Sequence, residues 1–422
     1  MRRSSIPLSM LIVLAIVGQV FGTSMIEVQV RDEVRRPVWR GAITIAISSS
    51  VSDANPNIVK GSDVSGAVQR SIQAWRNASG LEIKTIETAR LDVSPSGNAG
   101  DGVSLLTMAP TSANTIFFSR SDDSPAKTRV FYNRRNYITE ADIVLNPAVQ
   151  FSTDGSYGTF DLEAVLTHEI GHLLGLRHSF VPGSIMYDTI IRNGAVAKDN
   201  IVGTISSSDV SELRSLYQKT ADSEDCCGEV VGRVPTSVRK DASYEVWAEN
   251  TVTGDVAAAT TALRGRSFRL AGLEKGKYSV FAQAFAGESR FEVRDLGEVE
   301  IVTSSRTAVQ LDAPIGRQVD GIVAVGMNGM LADRSISLSA GTQVQIMVAV
   351  EQGRNSPTGF EFHSPFVFID PASVTEIDHA DGVRTFMMNL LVDEAATKGN
   401  YSICSVDNVG SRSCLAGAVK IR

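Results

Sequence analysis

The run from Thr167 to Ser179 reads T-H-E-I-G-H-L-L-G-L-R-H-S and holds three of the five histidines in the chain. His168 and His172 are four residues apart, so on a helix their imidazoles leave one face on successive turns. Two nitrogens placed in this way suit one zinc ion, at Zn–N distances of about 2.0 Å. Glu169 stands one residue on, off the metal axis but within reach of a coordinated water. Gly175 permits the positive φ that ends a helix and turns the chain back, so that His178 can supply a third nitrogen. Three protein ligands leave one coordination position open, which a catalytic zinc needs and a structural zinc does not. Histidine pairs also occur on helix surfaces by accident, and a lone H-E-x-x-H does not separate the two readings. The glycine and the third histidine, both in register, add what the pair alone lacks.

The whole pattern, H-E-x-x-H-x-x-G-x-x-H, is that of the metzincins. These proteins also carry a tight turn that holds a methionine beneath the metal, and Met186 follows His178 by eight residues in G-S-I-M-Y. A buried methionine elsewhere would be a gap-filler. Within the metzincins the chain most resembles the matrixins: Ser179 follows the third histidine and Tyr187 follows the methionine. The resemblance spans about 180 residues. It takes in P-V-W-R-G-A-I-T-I-A-I, the helix end at Ala74, E-A-D-I-V-L-N, and the closing S-S-S-D-V-S-E-L-R-S-L-Y. It implies an α+β zinc protease domain with His168, His172 and His178 as metal ligands, Glu169 as the catalytic acid/base and Met186 as the turn methionine. It also implies one catalytic Zn2+ and a protein or peptide substrate. By matrixin order, K-T-R-V-F-Y (127–132) is the sheet edge along which a substrate strand would add.

The chain departs from the matrixin pattern in several places. No histidine precedes His168, so the second, structural zinc common in the family should be absent. No cysteine precedes Cys226, so latency through a propeptide cysteine is missing. Asp188 stands where a proline often follows the Met-Tyr pair. The tyrosine ligand of astacins would fall at 188, so Tyr187 is expected to be a structural turn residue. For structural Ca2+, Asp101, Asp154 and Asp161 are the candidates, and their default reading is as loop and cap residues.

The elements that must position the histidines follow from periodicity. I-T-I-A-I-S (43–48) alternates as a strand. Val64, Val68, Ile72 and Trp75 recur at helical spacing over 64–75. N-T-I-F-F-S (114–119), K-T-R-V-F-Y and A-D-I-V-L-N (141–146) read as short strands. Leu162, Val165, Leu166, Ile170, Leu173 and Leu174 make the apolar face of the motif helix. The segment 206–217 is a last helix with a serine or aspartate cap.

From about Ser223 the pattern becomes short alternating runs separated by turn signals such as T-G-D and E-K-G-K, which suggests all-β sandwich modules. T-G-D-V followed by F-R-L-A-G-L-E-K-G-K-Y-S-V resembles the prealbumin-type, carboxypeptidase regulatory-like modules. The expected fold class is therefore multidomain: an α+β metzincin-type domain, then two all-β sandwich domains. The expected boundaries are a signal peptide at 1–22, a short N-terminal segment at 23–36, the matrixin-like domain at 37–220, the regulatory-like β-sandwich at 226–312 and a second, immunoglobulin-like β-sandwich at 313–422.

Composition agrees with an exported, folded protein. Apolar residues make up 43% and charged residues 21%, and the net charge is −7. Nucleic acid and anionic membrane are thus poor partners. Arg2 and Arg3, the apolar stretch from Leu8 to Phe21 and the small residues Gly22, Thr23 and Ser24 describe a secretory signal. That stretch is fourteen residues long, short of the roughly 20 that span a bilayer. With no second long apolar run, no stable span is expected after cleavage, and the mature chain should be secreted or extracytoplasmic. Export permits disulfides. Cys404 and Cys414 flank a polar loop and should bridge it, while the adjacent Cys226 and Cys227 leave their pairing open. His363 and His379 are by default scattered surface histidines. The functional reading is a zinc endopeptidase whose β modules recruit a surface, polymer or partner protein. The alternative is an inactive adhesion protein built on those modules, although a dead scaffold has no need of Glu169.

Overall fold

The computed structural model describes residues 28–422 apart from 31–32, 53, 96–99, 120–122, 195–203, 218–225, 237, 239, 288, 312–315, 354–355 and 378–382. The signal-peptide expectation at 1–22, half of the segment at 23–36, and His379 lie outside the described residues. Among the described residues no helix is long and apolar enough to cross a membrane.

The first region is built on a five-stranded sheet. Its strands are β1 (Ile43–Ser48), β2 (Ile83–Thr88), β3 (Ser104–Thr107), β4 (Ala126–Tyr132) and β5 (Ile138–Leu145), in the order β2-β1-β3-β5-β4. All neighbours are parallel except β4 and β5. The central strand β5 is buried from Glu140 to Leu145, the near-continuous burial that a sheet covered on both faces imposes. Among the described residues β4 pairs only with β5, so its other side is an open edge there.

Helix α1 (Val64–Ser79) begins where the Asp63 side chain accepts from Gly66 N, and it stops at Gly80, whose φ is +67°. Its buried stripe of Val64, Ala67, Val68, Ile72 and Trp75 follows the helical repeat. Helix α3 (Leu162–Leu173) packs against α1, and Trp75 Nε1 donates to Thr167 O on α3 at 2.7 Å. Trp75, Ile45, Ile143, Leu166 and Met186 belong to one apolar core. Helix α4 (Ser207–Tyr217) closes the region: Tyr217 Oη donates to Leu174 O, and Trp39 Nε1 donates to Leu173 O, both at 2.7 Å.

One expectation fails here. N-T-I-F-F-S is not a strand: α2 (Ser112–Thr115) and a turn occupy it. Asn114 decides the matter. Its fully buried amide accepts from Val93 N and donates to Leu91 O and Ala109 O. Such side-chain bonds to nearby backbone compete with strand pairing.

The rest of the chain is almost all β. In the middle region, Cys226–Arg233 pairs with Ser267–Glu274 and with Arg306–Ala308, while Ala242–Asn250 lies between Val256–Leu263 and Gly276–Ala286 in a second sheet. Val230 and Leu270 of one sheet share a core with Tyr244, Val246 and Val280 of the other. In the C-terminal region Gln343–Glu351 and Val383–Val392 form one sheet, and Gly399–Asp407 and Arg412–Ile421 form another. Ile346, Met388, Ile403 and Val419 pack in their common core. Cys404 and Cys414 are cross-strand partners and are bridged, as the flanked loop predicts. Cys226 and Cys227 pair with each other.

A further apolar cluster joins all three regions: Val181 from the first, Trp247 and Phe281 from the middle, Cys404, Cys414 and Ala416 from the last. His363 lies beside this junction and is not a scattered surface histidine. Its ring stacks on Phe281 at 4.6 Å, and its Nδ1 donates to Glu249 Oε2 at 2.9 Å. Partnership with a buried carboxylate explains the placement, and hydropathy patterning gives no sign of it.

Replacing Trp75 by Ala removes the side chain that joins α1 to α3. The expected cost is about 3–5 kcal/mol, read as an earlier urea midpoint. A loss below about 1 kcal/mol would mean that the α1–α3 contact does not hold the region together.

Candidate metal centre

Helix α3 carries the first two histidines because its sequence allows it little choice of orientation. Asp161 caps its start by accepting from Ala164 N, and ten of its twelve residues are buried. The helix ends at Gly175, whose φ is +95°; Gly175 N donates to His172 O and Leu176 N donates to Gly171 O. A Cβ at Gly175 would also lie 2.7 Å from Pro37 O, so backbone conformation and close approach both demand glycine. The reversal brings His178 back over α3.

The three imidazoles converge. Ring centroids are 4.7 Å apart for His168 and His172, 4.8 Å for His172 and His178, and 5.3 Å for His168 and His178. His168 Nδ1 donates to Ile185 O at 2.8 Å, and His172 Nδ1 donates to Leu176 O at 2.9 Å. Each carbonyl can only accept, so each ring keeps its proton on Nδ1 and turns a bare Nε2 inward. His172 Nε2 faces His178 Nε2 at 3.1 Å. Two nitrogens on a tetrahedral zinc would stand about 3.3 Å apart, so the donor set fits that ion. Burial, then mutual repulsion among the rings, holds the His168 pKa well below its ordinary value; burial also lowers those of His172 and His178. All three therefore stay neutral, the form that binds a metal.

Glu169 is buried next to this cluster. Burial raises its pKa, and His172, the Thr128 hydroxyl and Lys127 act the other way. Thr128, on edge strand β4, donates its hydroxyl to Glu169 Oε2 at 2.5 Å. The carboxylate thus has a fixed partner beside the free sheet edge.

Met186 has no solvent exposure and lies against Gly171 of the motif helix. Its turn is tied at both ends, since Ser179 N donates to Met186 O at 2.7 Å and Met186 N donates to Ser184 Oγ at 2.9 Å. A Cβ on Gly171 would run into Met186 Sδ and lie 2.9 Å from Trp75 Cζ2, so the helix must be bare at this point. Asp209 anchors the same turn. Its buried carboxylate accepts from Ser184 Oγ, from Ile185 N at 3.1 Å, and from Ser206 N and Oγ at the start of α4.

Asp209 was legible only as a helix cap. Thr128 lay within a recognised edge strand but without a role. Two residues from the C-terminal region carried no signal at all. Arg334 sets its guanidinium 5.2 Å from the Tyr187 ring, and Lys420 Nζ donates to Gly183 O at 3.1 Å. Asp101, Asp154 and Asp161 are not brought into the centre. Asp101 pairs with Arg90, Asp154 accepts from Ser156, and Asp161 caps α3.

Two outcomes follow for this centre. The unfolded histidines take up protons below about pH 6.5, whereas the folded cluster refuses them. For these rings the unfolded state binds more protons in that window, so their contribution to stability falls on acidification, opposite in sign to that of buried carboxylates such as Glu169 and Asp142. The histidine share is read by comparison: the metal-free parent should lose more melting temperature between about pH 6.5 and 5 than a His178→Gln variant does, and identical pH profiles would contradict the assignment of three neutral buried rings. Gly171→Ala should cost about 1–3 kcal/mol through overpacking against Met186 and weaken zinc binding. Unchanged affinity by chelator competition would mean that the methionine floor does not set the ligand geometry.

Residues 39–218 match the family model for Matrixin. Among curated proteins, matrilysin of Felis catus is 47% identical over 60 residues, covering 14% of this chain and 21% of that one. Metalloendoproteinase 4-MMP of Arabidopsis thaliana is 28% identical over 190 residues, covering 43% of this chain and 48% of that one. The hatching enzyme of Paracentrotus lividus is 25% identical over 193 residues, covering 43% and 26%. The chain thus spans about half, or less, of the length of these relatives. With the convergent histidines, the buried methionine turn and the family match all falling in one stretch, residues 39–218 carry a matrixin-like metzincin.

Proposed function

We propose that the protein is a zinc-dependent endopeptidase that works outside the cytoplasm, with His168, His172 and His178 as zinc ligands and Glu169 as general base. The observation that carries the reading is the meeting of three imidazole nitrogens, all within 4.8 Å of one another, with the buried Glu169 carboxylate one residue along the same helix. When bound, zinc lowers the pKa of a coordinated water toward about 7 and polarises a carbonyl.

The chain's own residues supply the rest. His168 and His172 hold their Nε2 atoms inward through the Ile185 and Leu176 carbonyls. Glu169 takes the proton of the attacking water as the new C–O bond forms. It then hands that proton to the amine nitrogen as the C–N bond breaks. Burial raises the pKa of this carboxylate, which favours its taking a proton and returning it in the second transfer. The Thr128 hydroxyl holds one of the two carboxylate oxygens, Oε2, and so fixes the side chain. The open side of β4 offers backbone N–H and C=O groups to an extended substrate.

The domain reading goes with this proposal: a signal peptide at 1–22, the protease at 37–220, a regulatory-like sandwich at 226–312 and an immunoglobulin-like sandwich at 313–422. Each β region has two sheets over a common core, which supports the sandwich reading. Their role is to recruit substrate or a partner.

Glu169→Gln should leave zinc bound and lower kcat on a peptide library by about 10²–10⁴-fold. Parent-level cleavage by that variant would refute the base assignment. A parent chain that binds zinc yet cuts nothing, with or without a chelator, would favour the adhesion alternative.

A further inference from the structure

The loop from Phe180 to Ile191 carries the methionine turn, and the C-terminal β region lies along it. Lys420, in the strand Arg412–Ile421, is 7% exposed. Its Nζ donates to Gly183 O at 3.1 Å and to Thr204 O at 3.3 Å. Gly183 stands two residues before Ile185, whose carbonyl holds His168. Thr204 stands two residues before Ser206, which caps α4 next to Asp209. One ammonium therefore joins the two segments that Asp209 also joins.

Charge makes the link more than steric. The Asp209 carboxylate is 1% exposed and accepts hydrogen bonds, yet no ion pair with a cation forms within 4 Å of it among the described residues. The start of α4 offsets part of that charge. Burial pushes the Lys420 pKa down to about 8, and the Asp209 charge acts the other way. A buried carboxylate in the protease region and a buried ammonium from the C-terminal region thus hold the same two segments, Asp209 through Ile185 N and Ser206 N, Lys420 through Gly183 O and Thr204 O.

Shape agrees with charge along the same loop. A Cβ at Gly183 would run into the Asn400 side chain, whose Oδ1 has no hydrogen-bond partner. A Cβ at Gly417 would run into Val181. Ala332 packs on Ile191, and Arg334 covers Tyr187.

We propose that Lys420 is a positioning residue for the metal centre: it holds the Gly183 carbonyl, fixes the turn whose Ile185 carbonyl orients His168, and so makes the C-terminal β region a working part of the catalytic unit. The inference rests on the zinc-peptidase reading for its catalytic consequence, but zinc affinity reports on it independently.

The test uses the full chain with Lys420→Met and Lys420→Arg. The measurements are zinc affinity by chelator competition, kcat and KM on a cleaved peptide, and urea unfolding. Lys420→Met should raise the zinc Kd about tenfold and lower kcat about tenfold, with KM within about twofold of the parent. Lys420→Arg, which keeps the charge, should recover most of both losses. A folded Lys420→Met protein with zinc Kd and kcat within about twofold of the parent overturns the proposal, as does a loss that merely tracks the unfolded fraction. Should Lys420→Met not fold, Gly183→Ala decides: it should weaken zinc binding, and Asn400→Gly in the same chain should restore it. Parent affinity in Gly183→Ala would also overturn the proposal. If the parent binds zinc and cleaves nothing, the peptidase reading falls, while the zinc affinities still judge Lys420.

Discussion

Two backbone carbonyls govern the centre. Ile185 O and Leu176 O accept the Nδ1 protons of His168 and His172. Each bond fixes a tautomer and a ring plane together, and so decides where the Nε2 lone pair points. Neither carbonyl belongs to the helix that carries the rings. One lies in the reversal after Gly175, the other in the methionine turn. The convergence of the imidazoles is therefore only as good as the loop from Leu176 to Met186, and much of the remaining structure bears on that loop.

The support comes in layers. Below, Gly171 lets Met186 seat against Trp75, which is itself held to α3 by its indole N–H. Behind, Asp209 gathers the N–H of Ile185 and the start of α4 on one carboxylate. Its burial is costly unless hydrogen bonds and a compensating charge surround it. The helix terminus and the hydrogen bonds from Ser184, Ile185 and Ser206 supply that compensation. On the outer side, Asn400, Ala332 and Arg334 press on the loop from the C-terminal region, and Trp247 meets Phe180 at 6.5 Å from the middle region. A loop with this many partners is poorly placed to relax, which suits a centre whose ligands must be held in advance of the metal.

Glu169 occupies a contrasting environment. The histidines are kept neutral by burial and by one another; the carboxylate is buried too, but its pKa rises for the same reason that theirs fall. A single apolar setting thus acts in opposite senses, keeping the three imidazoles neutral and raising the carboxylate.

The sequence by itself determined the local facts. H-E-I-G-H on an amphipathic helix puts two imidazoles on one face because the helical repeat is fixed. Gly175 marks the reversal because only glycine takes that φ cheaply, and alternating runs after Ser223 mark strands because side chains alternate across a sheet. Where local pattern was outvoted, a particular side chain did it. Asn114 turned N-T-I-F-F-S away from a strand, and Glu249 drew His363 into the junction. Tertiary structure alone decided which distant groups serve the centre. Thr128, Asp209, Arg334 and Lys420 lie between about 30 and 250 residues from the histidines along the chain. Their roles come from electrostatics and close packing across region boundaries. These depend on distance in space, and no periodicity in the chain encodes that distance.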